Sequence, residues 1–226
     1  MKTASNFSQL ALAGLIILTL GATTVWPQSA EGKVVPPPPP PIQQGPPPPL
    51  PIKPVADTLA PAGWARYGIG EPERFSLILP APPEVSSERI TLAPGVVMAV
   101  RYYMTSGAAG VYGATYIEDL PAAGDMTETQ RRAFFDGFVK GFVDGFQEGM
   151  QKQGSTEQLK MLEQRSATAS GLAGYEQDVS FALYTGRLRL VFDGRRAYAL
   201  IALWTADASE SERKAFYESL RVNTKR

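Results

Sequence analysis

The 226-residue chain contains neither cysteine nor histidine. Without cysteine it cannot form disulfides, thiolate metal sites or iron–sulfur clusters, and it lacks the thiol nucleophile of cysteine enzymes. Without histidine it lacks the commonest general base and the commonest ligand of transition metals. Without histidine, a serine nucleophile would need a lysine as its base.

An excess of charge of either sign is also lacking, because 22 basic residues balance 22 acidic ones. A strongly basic protein would be attracted to nucleic acid or to an anionic membrane surface, and this composition provides no such attraction. We therefore expect no nucleic-acid partner, and contact with a membrane only through the N-terminal segment.

The first 30 residues have the order of a secretory signal peptide. Lys2 precedes an uncharged apolar run from Leu10 to Trp26, and small residues follow at Ser29 and Ala30. The run is short for a helix that crosses a bilayer, which needs about 20 apolar residues. Gln28 stands where the cleavage pattern wants a small residue, so an uncleaved signal anchor at residues 10–26 stays open. Both alternatives predict an extracytoplasmic protein, periplasmic or secreted.

Residues 31–61 form a proline-rich spacer, with twelve prolines between Pro36 and Pro54. Proline fixes φ and has no N–H, so the default conformation is disordered or polyproline II. The nineteen residues from Pro36 to Pro54 would span about 60 Å if fully extended. An inert spacer is the favoured interpretation. A docking ligand for an aromatic groove is the alternative, since P-x-x-P spacings occur throughout the run.

Residues 62–226 are enough for a single globular domain. Its first half is rich in apolar, β-branched and aromatic runs, which predict strands. Turns are predicted at Pro94-Gly95 and at the Ser106-Gly107 loop. The predicted strands are Phe75–Leu79, Arg89–Leu92, Val96–Met104 and Val111–Glu118.

A long helix is predicted from Glu128 to Lys152. Thr127 and Gln130 have capping-box spacing, and Gly154 supplies a C-terminal stop. One half of the helix is apolar and the other half carries its charges.

Gly137, Gly141, Gly145 and Gly149 recur every four residues along one border of the apolar face. Each interior glycine costs about 1 kcal/mol relative to alanine, so close backbone approach is the physical reason to tolerate them. We expect the stripe to pack tightly on the domain's own sheet. A self-association seam and a bending helix are the alternatives.

The C-terminal half reads as an antiparallel meander followed by a helix. Thr185-Gly186 and Asp193-Gly194 are two-residue hairpin connections, and the second is predicted to be a type I′ turn. Residues 161–168 add a strand or, as the alternative, residues 159–165 extend a helix. Ser209 and Glu212 cap the last helix, with Phe216 and Leu220 pointing inward. The meander strands are predicted at Tyr175–Tyr184, Arg187–Phe192 and Arg195–Trp204.

The order of these elements predicts an α+β sandwich, in which a mainly antiparallel sheet carries a long helix and a C-terminal helix packed on it. Four stretches of this layout resemble the PsbP-like superfamily. They are Trp64 with Tyr67, FSLILP at Phe75–Pro80, GLAGYEQDVSF at Gly171–Phe181, and the final strand with the helix around AFYESLRV.

The superfamily includes the extrinsic photosystem II protein, a nuclear-import factor that binds the GTPase Ran, and secreted bacterial proteins. The resemblance implies a non-enzymatic binding or assembly domain, with no shared catalytic residues to carry over. Fold analogy by itself does not fix a function.

The residues themselves give few signs of chemistry. A G-x-S-x-G elbow is absent, and residues 149–156 have phosphate-loop glycine spacing without its lysine. Glu118, Asp119 and Asp125 are calcium ligands in principle, although a solvated acidic loop is the favoured interpretation. We therefore predict no catalytic, cofactor or metal site. A candidate partner surface is formed by Tyr102, Tyr112 and Tyr116.

The sequence as a whole predicts an exported, monomeric, non-catalytic domain for protein binding or envelope-complex assembly, with another protein of the cell envelope as partner. The first alternative is a small-ligand-binding module with its pocket between helix and sheet. The second is an enzyme that uses carboxylates alone, as a glycosidase pair does.

Overall fold

The fold is described from a computed structural model. It describes residues 45–93, 96–120, 126–152 and 154–223. The predicted signal segment and the first part of the predicted spacer lie outside these ranges, as does the predicted Pro94-Gly95 turn.

A seven-stranded antiparallel sheet forms the centre of the domain, in the order β4-β5-β6-β10-β9-β8-β7. The late strand β10 pairs with the early strand β6, opposing Tyr198 to Tyr116. The strands are β4 Glu84–Ala93, β5 Val96–Gly107, β6 Gly110–Glu118, β7 Lys160–Ala169, β8 Leu172–Phe181, β9 Tyr184–Asp193 and β10 Arg196–Trp204.

A second, smaller sheet has the order β1-β2-β3-β11 and is also antiparallel. Its strand β3 matches the predicted strand residue for residue and is buried along its length. The final strand β11 pairs with β3, so the C-terminal end of the described chain closes this sheet. The strands are β1 Ile52–Val55, β2 Ala65–Ile69, β3 Phe75–Leu79 and β11 Arg221–Val222.

Two helices complete the described fold, α1 Glu128–Lys152 and α2 Glu210–Glu218. Both begin at the predicted caps. The Thr127 N–H donates to Gln130 Oε1 at 2.8 Å, and Ser209 with Glu212 forms a full capping box. Gly154 has a φ of 81°, in the left-handed range typical of a helix stop.

Both faces of the large sheet are covered by apolar layers. One face packs against α1 through a cluster that includes Phe135, Phe142 and Leu190. The other face packs against the small sheet and α2 through a cluster that includes Phe75, Tyr198 and Phe216. The predicted α+β sandwich is confirmed, with the two helices on opposite faces of the large sheet.

The hairpin turns differ from their predicted positions. Gly186 lies inside β9, where an added Cβ would come within 2.4 Å of Leu203 Cδ2, so close packing explains this glycine. The β8–β9 turn is Ala182-Leu183, and Ala182 has a φ of 51°.

The β9–β10 turn is Gly194-Arg195, because Asp193 pairs with Arg196 in the ladder. Of its two central residues only Gly194 has a positive φ, at 55°. The predicted type I′ turn at Asp193-Gly194 is therefore wrong. Positive φ at the first central residue alone is the pattern of a type II′ turn.

The predicted boundary of the domain at residue 62 lies too late. Ile52–Val55 forms β1 and pairs with β2, with Ile52 opposite Ile69. Pro54 is tolerated because β1 is an edge strand, where a missing N–H can face solvent. The last part of the predicted spacer therefore belongs to the folded domain.

Candidate functional site

The three tyrosines predicted as a partner surface are buried, so that prediction is wrong. Tyr102 belongs to the layer under α1, whereas Tyr112 and Tyr116 belong to the layer under the small sheet. Their exposed fractions are 3%, 1% and 0%. Alternation along a strand gives an exposed face only where one side of the sheet is open, and here both sides are covered.

The glycine stripe of α1 is largely enclosed. Gly141, Gly145 and Gly149 are buried, whereas Gly137 is half-buried and an added Cβ there would meet no atom within 4 Å. Three of the four positions are therefore enclosed within the fold. This placement favours packing within the domain over an exposed seam.

The predicted acidic loop is held by arginines. Glu118 forms ion pairs with Arg74 and Arg101, and it accepts a hydrogen bond from Tyr116 at 3.0 Å. Asp119 adopts a left-handed φ of 61°, and Asp125 lies outside the described residues. Within the ranges that the structure describes, no group of acidic residues could hold a metal ion.

The main polar cluster on the sheet joins β7, β8 and β9. Glu176 is 5% exposed and accepts from Arg189, with a distance of 2.6 Å from Nη2 to Oε2, and pairs with Arg165 at 2.6 Å. Asp178 accepts from Arg187 Nε at 2.6 Å and from Arg165 Nη1 at 2.8 Å. We call Arg165, Arg187, Arg189, Glu176 and Asp178 the arginine network.

These ion pairs shift the pKa values of Asp178 and Arg187. Burial alone would raise the pKa of Asp178, but hydrogen bonds from Arg187 and Arg165 and their positive charges hold it below its usual value. Burial would likewise lower the pKa of Arg187, yet its carboxylate partners raise it. Asp178 and Arg187 are therefore both held in their charged forms at neutral pH.

A groove lies beside the network, between α2 and strands β9 and β10. Arg187 and Arg189 stand over the ring of Tyr217, with Cζ 5.5 and 5.2 Å from its centroid. Arg213 stands over Trp204 at 5.7 Å, and its buried Nε has no hydrogen-bond partner among the described residues. The groove encloses about 360 Å³ and is lined by Arg187, Arg189, Trp204, Glu210, Arg213, Lys214, Tyr217 and Glu218. We call these residues the arginine–aromatic groove.

A second cavity of about 510 Å³ lies where the first turn of α1 meets β7 and β8. Its polar lining includes Ser166, Thr168 and Arg131, and the Tyr175 hydroxyl donates to the carbonyl of Glu128 at 3.3 Å. The cavity falls in the size range of small-ligand sites. The middle of α1, by contrast, packs on the sheet through a continuous apolar layer.

The arginine–aromatic groove is not predictable from a sequence motif. Its only local signal is the alternation of arginine and leucine in β9, where Arg187 and Arg189 flank Leu188. Charged residues that alternate with leucine normally indicate a solvated face. The approach of Tyr217 and Arg213 depends on how α2 docks, which no local pattern encodes.

The chain is an α+β sandwich whose central antiparallel sheet is covered on both faces. No protein-family model matches it, and no curated protein matches it. Among solved structures it is similar to the solution structure of cyanobacterial PsbP from Synechocystis sp. PCC 6803, at 10% identity and a TM-score of 0.44. The match covers 75% of this chain and 98% of that one.

Across the described ranges, no helix combines the length and the apolar character needed to cross a membrane.

Proposed function

We propose that this protein is an exported, non-catalytic domain that binds another protein of the cell envelope, and that the arginine–aromatic groove is its contact surface. The observation that carries the proposal is the composition of the groove. Arginine, tryptophan and tyrosine are the residues most enriched among those that dominate protein–protein binding energy.

The charges of the groove indicate the kind of partner. Its lining holds four cationic side chains and two carboxylates, Glu210 and Glu218. An acidic segment of a partner would pair with the exposed Lys214 and with the half-buried guanidinium of Arg213. Hydrogen bonds of this kind are charge-assisted, and they are stronger than neutral ones.

The carboxylates support a binding role over an enzymatic one. Asp57, Glu118, Glu176 and Asp178 are each held by at least two arginines. A carboxylate whose oxygens are engaged in this way is a poor nucleophile, because its lone pairs are occupied. Asp57, Glu118 and Asp178 are also poor general acids, because arginine partners lower the pKa of each.

Site-specific photocrosslinking in the envelope of the producing cell tests the proposal. A photoreactive residue in place of Lys214 should give a discrete adduct, and Arg213→Glu in the same chain should remove it. Lys140 is the matched control, because it is exposed on α1 at the opposite face of the sheet. An absence of adducts at position 214, or the same adducts at both positions, would refute the groove as the contact surface.

A small-ligand-binding module remains the second candidate, because the cavity beside α1 has a suitable volume. Native mass spectrometry of the purified chain would show a bound small molecule as a constant mass increment. Thr168→Trp should fill the cavity and remove the increment. A wild-type mass equal to that of the bare chain excludes a copurified ligand.

A further inference from the structure

The proline run that leads into β1 lies on β4 and β5, at one edge of the large sheet. Three of its carbonyl groups accept hydrogen bonds from side chains of β4 and β5. Ser87 Oγ donates to the carbonyl of Pro47 at 2.6 Å, and Arg101 Nε donates to that of Pro48 at 2.9 Å. Arg89 Nε donates to the carbonyl of Gly45 at 3.0 Å.

The three donors share one face of the sheet. Ser87 and Arg89 are two residues apart on β4, and Arg101 is the register partner of Ser87 on β5. The next pair on this face, Val85 and Tyr103, belongs to the apolar layer that also takes in Leu50 and Ile52. The result is a groove with donors along its length and an apolar end, which we call the prolyl groove.

The chemistry of the prolyl groove selects for proline. A prolyl residue has a carbonyl acceptor but no N–H, so it needs donors and never an acceptor. An ordinary extended strand would bring N–H groups that the side chains of Arg89 and Arg101 cannot satisfy. A polyproline II segment is also already extended, so little conformational entropy is lost when it docks.

Pro47 shows that the fit involves more than hydrogen bonds. It is buried, whereas the prolines on either side of it, Pro46 and Pro48, are exposed. One ring of the run is therefore seated while its neighbours face solvent. Alternation of this kind is expected when a three-residue-per-turn helix lies on a surface.

We propose that the prolyl groove is a polyproline-binding site whose occupant within one copy is the run Gly45–Pro51, and that it accepts the same run from a second copy when its own is displaced. Exchange of this arm would join copies without any change in the folded domains. The inference does not depend on the arginine–aromatic groove, which lies at α2.

The test uses the full chain with its own run weakened by Pro46→Ser, Pro47→Ser and Pro48→Ser. A fluorescein-labelled peptide with the sequence of residues 45–51 serves as the arm of a second copy. Fluorescence anisotropy should show saturable binding to this variant and binding that is at least about tenfold weaker to the wild type, whose groove is occupied. A peptide with serines in place of the five prolines should not bind.

The matched control adds Ser87→Ala and Arg89→Gln to the same variant, which removes two donors and leaves the Arg101–Glu118 ion pair intact. Peptide affinity should fall by about tenfold or more. Failure of the peptide to bind a variant that melts in one cooperative transition overturns the proposal. Unchanged affinity in the control overturns it too, because the groove would then not be the site.

A second measurement covers the case in which the serine variant does not fold. The chain has no cysteine, so Pro49→Cys gives a single position for a nitroxide label on the exposed side of the run. The electron paramagnetic resonance spectrum of the label should show restricted motion. In a chain that also carries Ser87→Ala and Arg89→Gln, the spectrum should show faster motion of the label. A spectrum that those two substitutions leave unchanged refutes capture of the run by these donors.

Discussion

Tyr217 and Arg187 make two different contacts with each other, a hydrogen bond and a cation–π contact. The hydroxyl of Tyr217 donates to the main-chain carbonyl of Arg187 at 2.6 Å, while the guanidinium of Arg187 stands 5.5 Å above the centre of the same ring. Tyr217 therefore contacts both the main chain of β9 and the guanidinium of Arg187 that projects from it. Because Tyr217 lies on α2 and Arg187 on β9, this pair sets the position of the helix against the sheet.

Tyr217→Phe should lower the free energy of unfolding by about 1 kcal/mol, because it removes a hydrogen bond and keeps the ring. The matched control is Tyr198→Phe, since the buried hydroxyl of Tyr198 has no partner among the described residues. That substitution should be neutral or slightly stabilising. Urea unfolding of both variants measures the difference, and equal losses would show that the Tyr217 hydroxyl has no special role.

Acidification should destabilise the domain through Glu118 and Asp178. Burial would raise the pKa of Glu118, but hydrogen bonds from Arg101 and Tyr116 and the charges of Arg101 and Arg74 outweigh it and lower the pKa from 4.5. The pKa of Asp178 is lowered from 3.8 for similar reasons. A lowered folded pKa means that stability is present above the unfolded value and is lost as the pH falls through the folded value.

Urea melts between pH 7 and pH 2.5 measure this dependence. Glu118→Gln should lower stability at pH 7 and flatten the loss below pH 4.5. Glu148→Gln, on the exposed face of α1, should keep the wild-type profile. If Glu118→Gln loses stability below pH 4.5 as steeply as the wild type, Glu118 does not contribute to the acid dependence.

Gly194→Val should destabilise the domain by about 1 to 3 kcal/mol through backbone strain. Gly194 has a φ of 55°, and an added Cβ would meet no atom within 4 Å, so the cost comes from conformation and not from a clash. A thermal melt that does not change would show that this turn is not formed as described.

Gly141→Leu and Gly145→Leu should each lower stability by about 1 to 3 kcal/mol, because both glycines are buried and the larger side chain overpacks the site. Gly137→Leu is the matched control in the same stripe, where the space is open. There the gain in helix propensity should make the substitution neutral or stabilising.

Sedimentation of the same samples separates packing from self-association. If the stripe packs within the domain, all four proteins should sediment as monomers. A wild-type dimer that either buried-site variant dissociates into folded monomers would instead identify the stripe as a seam.

Elements with strong local signals were predictable from the sequence. The helix Glu128–Lys152 and the strand Phe75–Leu79 agree with the structure in both bounds, because a capping box, a stop glycine and flanking prolines mark their ends. Residues 160–169 form a strand, which settles the alternative of an extended helix.

Features that depend on tertiary packing were not predictable. Gly186 looks like a turn residue, but it serves the close approach of β9 to Leu203. Tyr112 and Tyr116 look like an aromatic surface until the small sheet covers them. The proline run looks like a spacer, because its partners Ser87 and Arg101 lie 40 and 53 residues further along the chain.

The pairing of β6 with β10 has a consequence for how this chain can acquire its fold. Strand β6 ends at Glu118 and strand β10 begins at Arg196, and the two strands pair side by side. Strand β6 belongs to the middle of the chain, whereas β10 belongs to its last fifth. Seven strands therefore cannot assemble in order from the N-terminus, and the sheet stays split until residues 196–204 insert between its halves. Because such distant contacts slow folding, the two halves of the sheet should stay unjoined, with their inner edges accessible to chaperones, until residues 196–204 have been synthesised.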